Sequence, residues 1–310
     1  MKNILKLGII AVFLAAIVSF LPVAELYLAK EPAPYTNKQA IERLSSDKTG
    51  DFRFAVFSDN HAGLMFDDGV ALKVVSRINS ENRFKKTPLE FVLTAGDITY
   101  RGSPWQFKIF NILRSRIKFP VICAAGNHYD DTEKTRNLYK KYCGANELSF
   151  AYRNSYFIVL DSTIGSVTDK QFAWLESRLE KSAPYAHRFI VMHKPAVSPY
   201  QQAWYQPEMS QWSYRFLKLC EKYNVDIVFS GHEHMFKSSS YGGVKYITTG
   251  GGGMLPNFPS SEGGYNHYVV VRVMGAYVDY EVRRVSPPLW ELLTYYLWKD
   301  LFFALKDVFS

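Results

Sequence analysis

Five short segments carry side chains able to do chemistry, and each ends an apolar run. They are Asp59-Asn60-His61 after FAVFS, Gly96-Asp97 after LTA, Gly126-Asn127-His128 after ICAA, His193 after IVM, and Gly231-His232-Glu233-His234 after VFS. Of the seven histidines, five lie in these segments. A single Gly-Asp is usually a turn, and a lone histidine after a strand is more often structural than a ligand; five such sites together are not explained that way. Carboxylate oxygen, amide oxygen and imidazole nitrogen in combination suit Mn, Fe, Zn or Co rather than calcium. Two aspartates, one asparagine and four histidines, before His128 is counted, are too many for one four-coordinate ion. Two ions sharing a bridging carboxylate would use them all. Such a pair, about 3.5–4 Å apart, lowers the pKa of a shared water and clamps both oxygens of a phosphoryl displacement.

Something must bring these segments together. Strand-like runs fall at Phe52–Phe57, Leu89–Leu93, Val121–Ala124, Tyr156–Leu160, Phe189–Met192 and Ile227–Phe229. Helical periodicity falls between most of them, at Val70–Asn82, Trp105–Arg114, Thr168–Lys181 and Met209–Tyr223. This alternation predicts an α/β unit with a largely parallel sheet. The donors then sit at the carboxyl ends of the strands, where open α/β sheets bind ligands. Gly96, Gly126 and Gly231 are placed to allow sharp turns that aim the next side chain inward. Beyond Gly231 the pattern changes to strands alone, and Val244–Thr248, Tyr268–Met274 and Tyr277–Val282 read as an antiparallel meander. The glycine run 250–253 is either a bend or a set of amides facing substrate.

Asp59-x-His61, Gly96-Asp97, Gly126-Asn127-His128, His193 and Gly231-His232-x-His234, in this order, resemble the signature of the calcineurin-like metallophosphoesterases. The resemblance implies a four-layer α/β/β/α sandwich of two mixed sheets, and hydrolysis of phosphate mono- or diesters or of a pyrophosphate bond. It implies that Asp59, His61 and His234 hold one ion, that Asn127, His193 and His232 hold a second, and that Asp97 bridges. The ions would be divalent, or an Fe(III)/divalent pair, with a hydroxide between them as nucleophile and His128 as proton donor. Relatives commonly carry Asp or Glu after Asn-His, where this chain has Tyr129 followed by Asp130. Tyr100 stands where the purple acid phosphatase branch has an iron ligand, but that branch lacks the histidine present here as His61. We therefore assign Tyr100, Tyr129 and Asp130 to surrounding roles. An aromatic segment after His193, with Tyr200, Trp204 and Tyr205, could be a substrate lid or a surface loop.

The remaining features concern the ends and the surface. Lys2 and Lys6 precede Leu7 to Ala24, eighteen residues without charge. This predicts a transmembrane helix within residues 1–30, with its N-terminus in the cytoplasm and the bulk of the chain outside it. Pro22-Val23-Ala24 is a poor cleavage site; were it cut, the product would be secreted or periplasmic. Residues 31–50 read as a linker, 51–285 as the phosphoesterase domain, and 286–310 as an amphipathic aromatic helix with Trp290, Leu293, Leu297 and Trp298 on one face. The net charge of +8 is spread without a dense basic block. That excludes a basic nucleic-acid module and suits a phosphorylated small molecule, a lipid substrate or a membrane surface. Cys123, Cys143 and Cys220 have no ligand spacing, and leave room for at most one disulfide. The competing view is a metal-binding scaffold, weak in catalysis, that serves a membrane or protein partner.

Overall fold

The computed structural model describes residues 2–44, 50–83, 86–128, 132–197, 211–256 and 258–292, without the side chains of 2–10 and 13. In chain order the elements begin with α1 (Lys2–Leu28), α2 (Asn37–Glu42), β1 (Phe52–Phe57), α3 (Met65–Ser80), β2 (Leu89–Thr94) and α4 (Pro104–Ser115). Then come β3 (Val121–Cys123), α5 (Glu133–Tyr142), β4 (Leu148–Tyr152), β5 (Ser155–Val159), α6 (Asp169–Lys181), β6 (His187–Val191) and α7 (Gln211–Lys222). The last are β7 (Ile227–Ser230), β8 (Phe236–Tyr241), β9 (Val244–Thr249), β10 (His267–Met274), β11 (Tyr277–Arg284) and α8 (Leu289–Glu291).

Two mixed sheets result, ordered β11-β10-β1-β2-β3 and β4-β5-β6-β7-β9-β8. In the first, β1, β2 and β3 are parallel and β10 and β11 antiparallel. In the second, β5, β6, β7 and β9 are parallel, with β4 and β8 antiparallel at the edges. The expected meander is thus divided. β10 and β11 pair with each other beside β1, whereas β9 lies parallel to β7 in the other sheet and pairs with β8.

Alternating side chains make three apolar layers out of these two sheets. Phe52, Phe54, Val56 and Phe91 of the first sheet meet Phe157, Phe189, Phe229 and Ile247 of the second. Rings of Phe54 and Phe91 stack at 5.4 Å, and Phe157 meets both edge-on at 5.2 Å. The intervening residues Ala55, Phe57 and Val92 pack outward under Val70, Val74, Ile78, Phe107 and Phe110 of α3 and α4. Ile158, Ile190 and Val228 do the same under α6 and α7. Helix, sheet, sheet, helix is the outcome, and it brings the carboxyl ends of β1–β3 and β5–β7 to one rim.

The segment expected as a linker contains one short helix, but it is fastened down. The Tyr142 hydroxyl donates to Glu31 at 2.7 Å, and Asn111 donates to the Pro32 carbonyl at 2.8 Å. Buried Asn37 exchanges two 2.8 Å hydrogen bonds with the Cys123 backbone, so its amide pairs with the free edge of β3 as a peptide unit would. All three cysteines are free and buried.

Among the described residues no helix is long and apolar enough to cross a membrane, so the transmembrane helix expected at Leu7–Ala24 is not supported. The last turns of α1 instead pack on the domain, with Val23 and Leu26 buried and Tyr27 donating to Asp68 at 2.7 Å. Of the expected C-terminal helix only α8 is described. There Trp290 packs edge-on against Phe20 and beside Phe66. The positions from Leu293 onward lie outside the described residues.

Candidate metal centre

The loops that leave β1 and β2 continue to pair after the sheet ends. Asp59 N–H donates to the Gly96 carbonyl at 3.2 Å, His61 to Asp97 at 3.1 Å, and Ala62 to Ile98 at 3.2 Å. This forces unusual backbone on the donors themselves. Asp59, His61, Asp97 and His232 have φ of 58°, 43°, 45° and 70°. They are four of the six non-glycine residues with positive φ among those described. Such conformations cost about 1 kcal/mol or more each and persist where the surroundings impose them. Gly96, at φ 96°, is a turn glycine as expected, and a Cβ there would lie 2.5 Å from His193 Nδ1. Gly126 serves otherwise. Its φ is not positive, and a Cβ would stand 2.1 Å from Asp97 N and Oδ1, so it supplies room rather than a turn.

Three overlapping donor groups could each hold a cation: Asp59, His61 and His234; His61, Asp97 and His128; and Asp97, His193 and His232. Asp97 Oδ2 is at their centre, 3.6 Å from His61 Nε2, 3.8 Å from His128 Nε2 and 3.1 Å from His193 Nε2. Asp59 Oδ1 lies 3.6 Å from His234 Nε2 and 4.0 Å from His61 Nε2, while its carboxylate accepts the His232 amide. Asn127 Oδ1 is 2.9 Å from His193 Nε2.

The chemistry of this set fits a cation. His193 Nδ1 faces the Ala95 carbonyl at 2.9 Å, so that nitrogen carries the proton. In a neutral ring the Nε2 lone pair then points at two acceptor oxygens, Asn127 Oδ1 and Asp97 Oδ2, a repulsive meeting unless a proton or metal ion lies among them. His61 is buried with neither ring nitrogen hydrogen-bonded. His128 Nδ1 donates to the Tyr100 carbonyl at 2.9 Å, which leaves Nε2 toward Asp97.

Electrostatics repeats the point. Burial opposes charge on Asp97, but the His193 imidazolium, hydrogen-bonded to it, and the nearby His61 and His128 rings hold its carboxyl well below the usual range. Asp59 is likewise lowered against burial, by His234 and His193. Burial works against a charged His61, yet Asp67 and Asp97 push it up to about 10. His193 is raised by Asp97 despite its burial. Burial, with the neighbouring His193 charge, takes His232 down to about 4. In this cluster imidazolium protons do what cations would do, and metal binding would release them.

All eight expected donors and acid groups, His128 included, therefore meet at one rim. Tyr100 contributes its carbonyl to His128, with its ring 5.9 Å from that imidazole and 6.0 Å from His61. Tyr129, Asp130, Tyr200, Trp204 and Tyr205 lie outside the described residues. The glycine run braces the loops that leave β1 and β7, since Gly252 N–H bonds the Ser58 carbonyl and Gly250 N–H that of Met235. Sequence reasoning missed Asp67, buried in the first turn of α3, whose Oδ2 is 3.5 Å from His61 Nδ1. The only signal was an acidic pair, Asp67-Asp68, which ordinarily marks an exposed helix start.

Comparison with known proteins agrees with this geometry. The chain is 27% identical over 201 residues to the glycerophosphodiester phosphodiesterase GpdQ of Enterobacter lignolyticus, covering 59% of this chain and 69% of that one. It is 27% identical to a probable cyclic nucleotide phosphodiesterase of Rhodococcus erythropolis, covering 49% and 54%. In fold it resembles a purple acid phosphatase from yellow lupin, Lupinus luteus, with TM-score 0.60 at 15% identity over 82% of this chain and 54% of that chain. The family profile described as calcineurin-like phosphoesterase matches residues 52–236, more than half of the chain and every donor named above. The chain belongs to the calcineurin-like phosphoesterases, metal-dependent hydrolases of phosphoesters.

Proposed function

We propose that this protein is a two-metal phosphodiesterase whose domain is held at a membrane by α1, on the extracytoplasmic side. The observation that carries the catalytic reading is the Asp97 carboxylate, within 3.1 to 3.8 Å of three imidazoles drawn from three different loops. Asp59, His61 and His234 would hold one ion, Asn127, His193 and His232 the other, and Asp97 both. Bound there, the ions supply Lewis acidity toward the phosphoryl oxygens and an acidified water.

The chain's own groups do the rest. Ala95 and Tyr100 carbonyls fix the tautomers of His193 and His128, so that both Nε2 atoms face the centre. The His128 side chain is 32% exposed, at the mouth of the site, with its backbone amide anchored on Asp97 Oδ1 at 2.9 Å. In this reading it would give a proton to the departing oxygen as the P–O bond breaks and a water oxygen joins phosphorus. A diester is favoured because both curated relatives named above are phosphodiesterases by name. For the membrane, the support is the uncharged run behind Lys2 and Lys6 and the exposed apolar residues of α1.

The test is metal analysis of the purified chain beside its Asp97→Ala variant, then turnover of soluble and lipid phosphoesters. Two transition ions per chain in the wild type, and loss of metal and of turnover in the variant, are expected of a group that would serve both ions. Unchanged hydrolysis by the variant would defeat the reading.

A further inference from the structure

A groove of about 1230 Å³ runs between α1 and α3. Ser19, Pro22 and Val23 of α1 form one wall, and Lys73, Arg77, Arg83, Arg116 and Lys118 contribute five cations to the lining. Among the described residues no acidic side chain lines it. Some cations elsewhere sit beside carboxylates: Lys222 with Glu176 at 2.7 Å, Lys218 with Glu221 at 2.8 Å, and Arg153 with Glu90 at 2.9 Å. Among the described residues none of the five groove cations is in an ion pair. Away from the groove, α1 shows Leu14, Ile17, Val18, Leu21 and Leu28 at helical spacing, each from 54% to 86% exposed. An apolar stripe in water, with five like charges gathered in one groove beside it, is a surface that an anionic, partly apolar partner would relieve.

We infer that the groove holds the phosphate headgroup of an anionic membrane lipid, with the outward stripe of α1 in the acyl region next to it. This rests on the membrane reading above and adds the chemistry of the surface. A bilayer bearing anionic lipid supplies negative phosphate and hydrocarbon at adjoining depths, which is the order of charge and apolarity found here. Free phosphate would satisfy the cations and leave the stripe in water. A second copy of the chain, packed face to face, would set the same cations against one another.

The experiment offers the full-length, metal-loaded protein a mixture of two vesicle populations of different density, one of phosphatidylcholine alone and one with phosphatidylglycerol added. Flotation then gives the distribution between them. The wild type is expected to favour the anionic vesicles by about tenfold or more at 0.1 M salt, as a cluster of basic groups at a surface does. Arg77→Gln with Lys118→Gln, both exposed and harmless to packing, should bring that ratio toward one. Equal ratios for wild type and variant would overturn the inference. So would a preference erased by inorganic phosphate at matched ionic strength, which identifies a free-anion site. Retention on both vesicle types without preference sinks the groove alone, whereas retention on neither sinks the anchoring reading as well. Neither result depends on whether the centre turns over a phosphoester.

Discussion

His61 presents its two ring nitrogens to different neighbours, and this division is the most consequential detail at the scale of single residues. Nε2 faces Asp59 and Asp97, while Nδ1 faces Asp67 at 3.5 Å. A carboxylate behind a ligating imidazole fixes its ring and raises its basicity, and losing such a partner typically weakens metal binding about 10–100-fold. Asp67→Asn is therefore expected to raise the metal dissociation constant by at least about tenfold while the fold holds. Direct titration of the metal-free protein measures this, and an unchanged constant would leave Asp67 a packing residue. The donors that sequence reasoning identified were legible because their types are rare and each follows an apolar run. Asp67 was not, because only the fold turns the first turn of α3 inward. The Ala95 and Tyr100 carbonyls were not legible either, since every residue carries a carbonyl and none announces its direction.

At the scale of elements, β1 reads FRFAVF and is buried throughout, Arg53 included. That arginine lies at the end of the strand away from the metal centre. Its guanidinium donates to Glu81 at 2.8 Å and to the Thr87 carbonyl at 2.8 Å. Burial raises the cost of a charged Glu81, but the Tyr268 hydroxyl, Arg53 and Arg283 outweigh it and hold the carboxyl below its ordinary value. A depressed carboxyl stabilises the fold above its unfolded pKa, about 4.3, and that contribution is lost as pH falls through the folded value. Glu81→Gln should thus lower stability at neutral pH, and the difference from wild type should shrink as acid is added below about pH 4.3. Urea melts across pH 3 to 7 would show it, and a constant difference would contradict it. The same contrast explains which elements could be read. Central strands are continuous apolar runs, and α4 and α6 have apolar stripes. By contrast β8 reads FKSSSY at a sheet edge, and α5 reads EKTRNLYKKY, largely polar, so neither has a strong signal. The division of the meander depends on pairing of β9 with β7, a long-range choice that local pattern does not encode.

For the molecule as a whole, the N-terminal segment is part of the structure and not a loose tether. Val23 and Leu26 are buried, Tyr27 is bonded to Asp68, and the Asp68 carboxylate accepts the Gly63 amide two residues from His61. Removing residues 1–30 should cost about 3 kcal/mol or more from these apolar side chains alone, visible as a lower melting temperature. An unaltered melt would mean that the helix merely rests on the domain. The arrangement of the rim carries a further consequence. Asp59, Asp97 and Asn127 follow strands of one sheet, while His193 and His232 follow strands of the other. Bound cations would rivet two slabs otherwise joined by the greasy seam between them and by scattered polar ties such as Arg153 to Glu90 and His193 to the Ala95 carbonyl. Stripping the ions with a chelator should let the slabs part from that rim first. Amide exchange should then quicken at residues 97–100 and 193–194 before it does along the distant margin where Arg53 sits, and melting should come earlier.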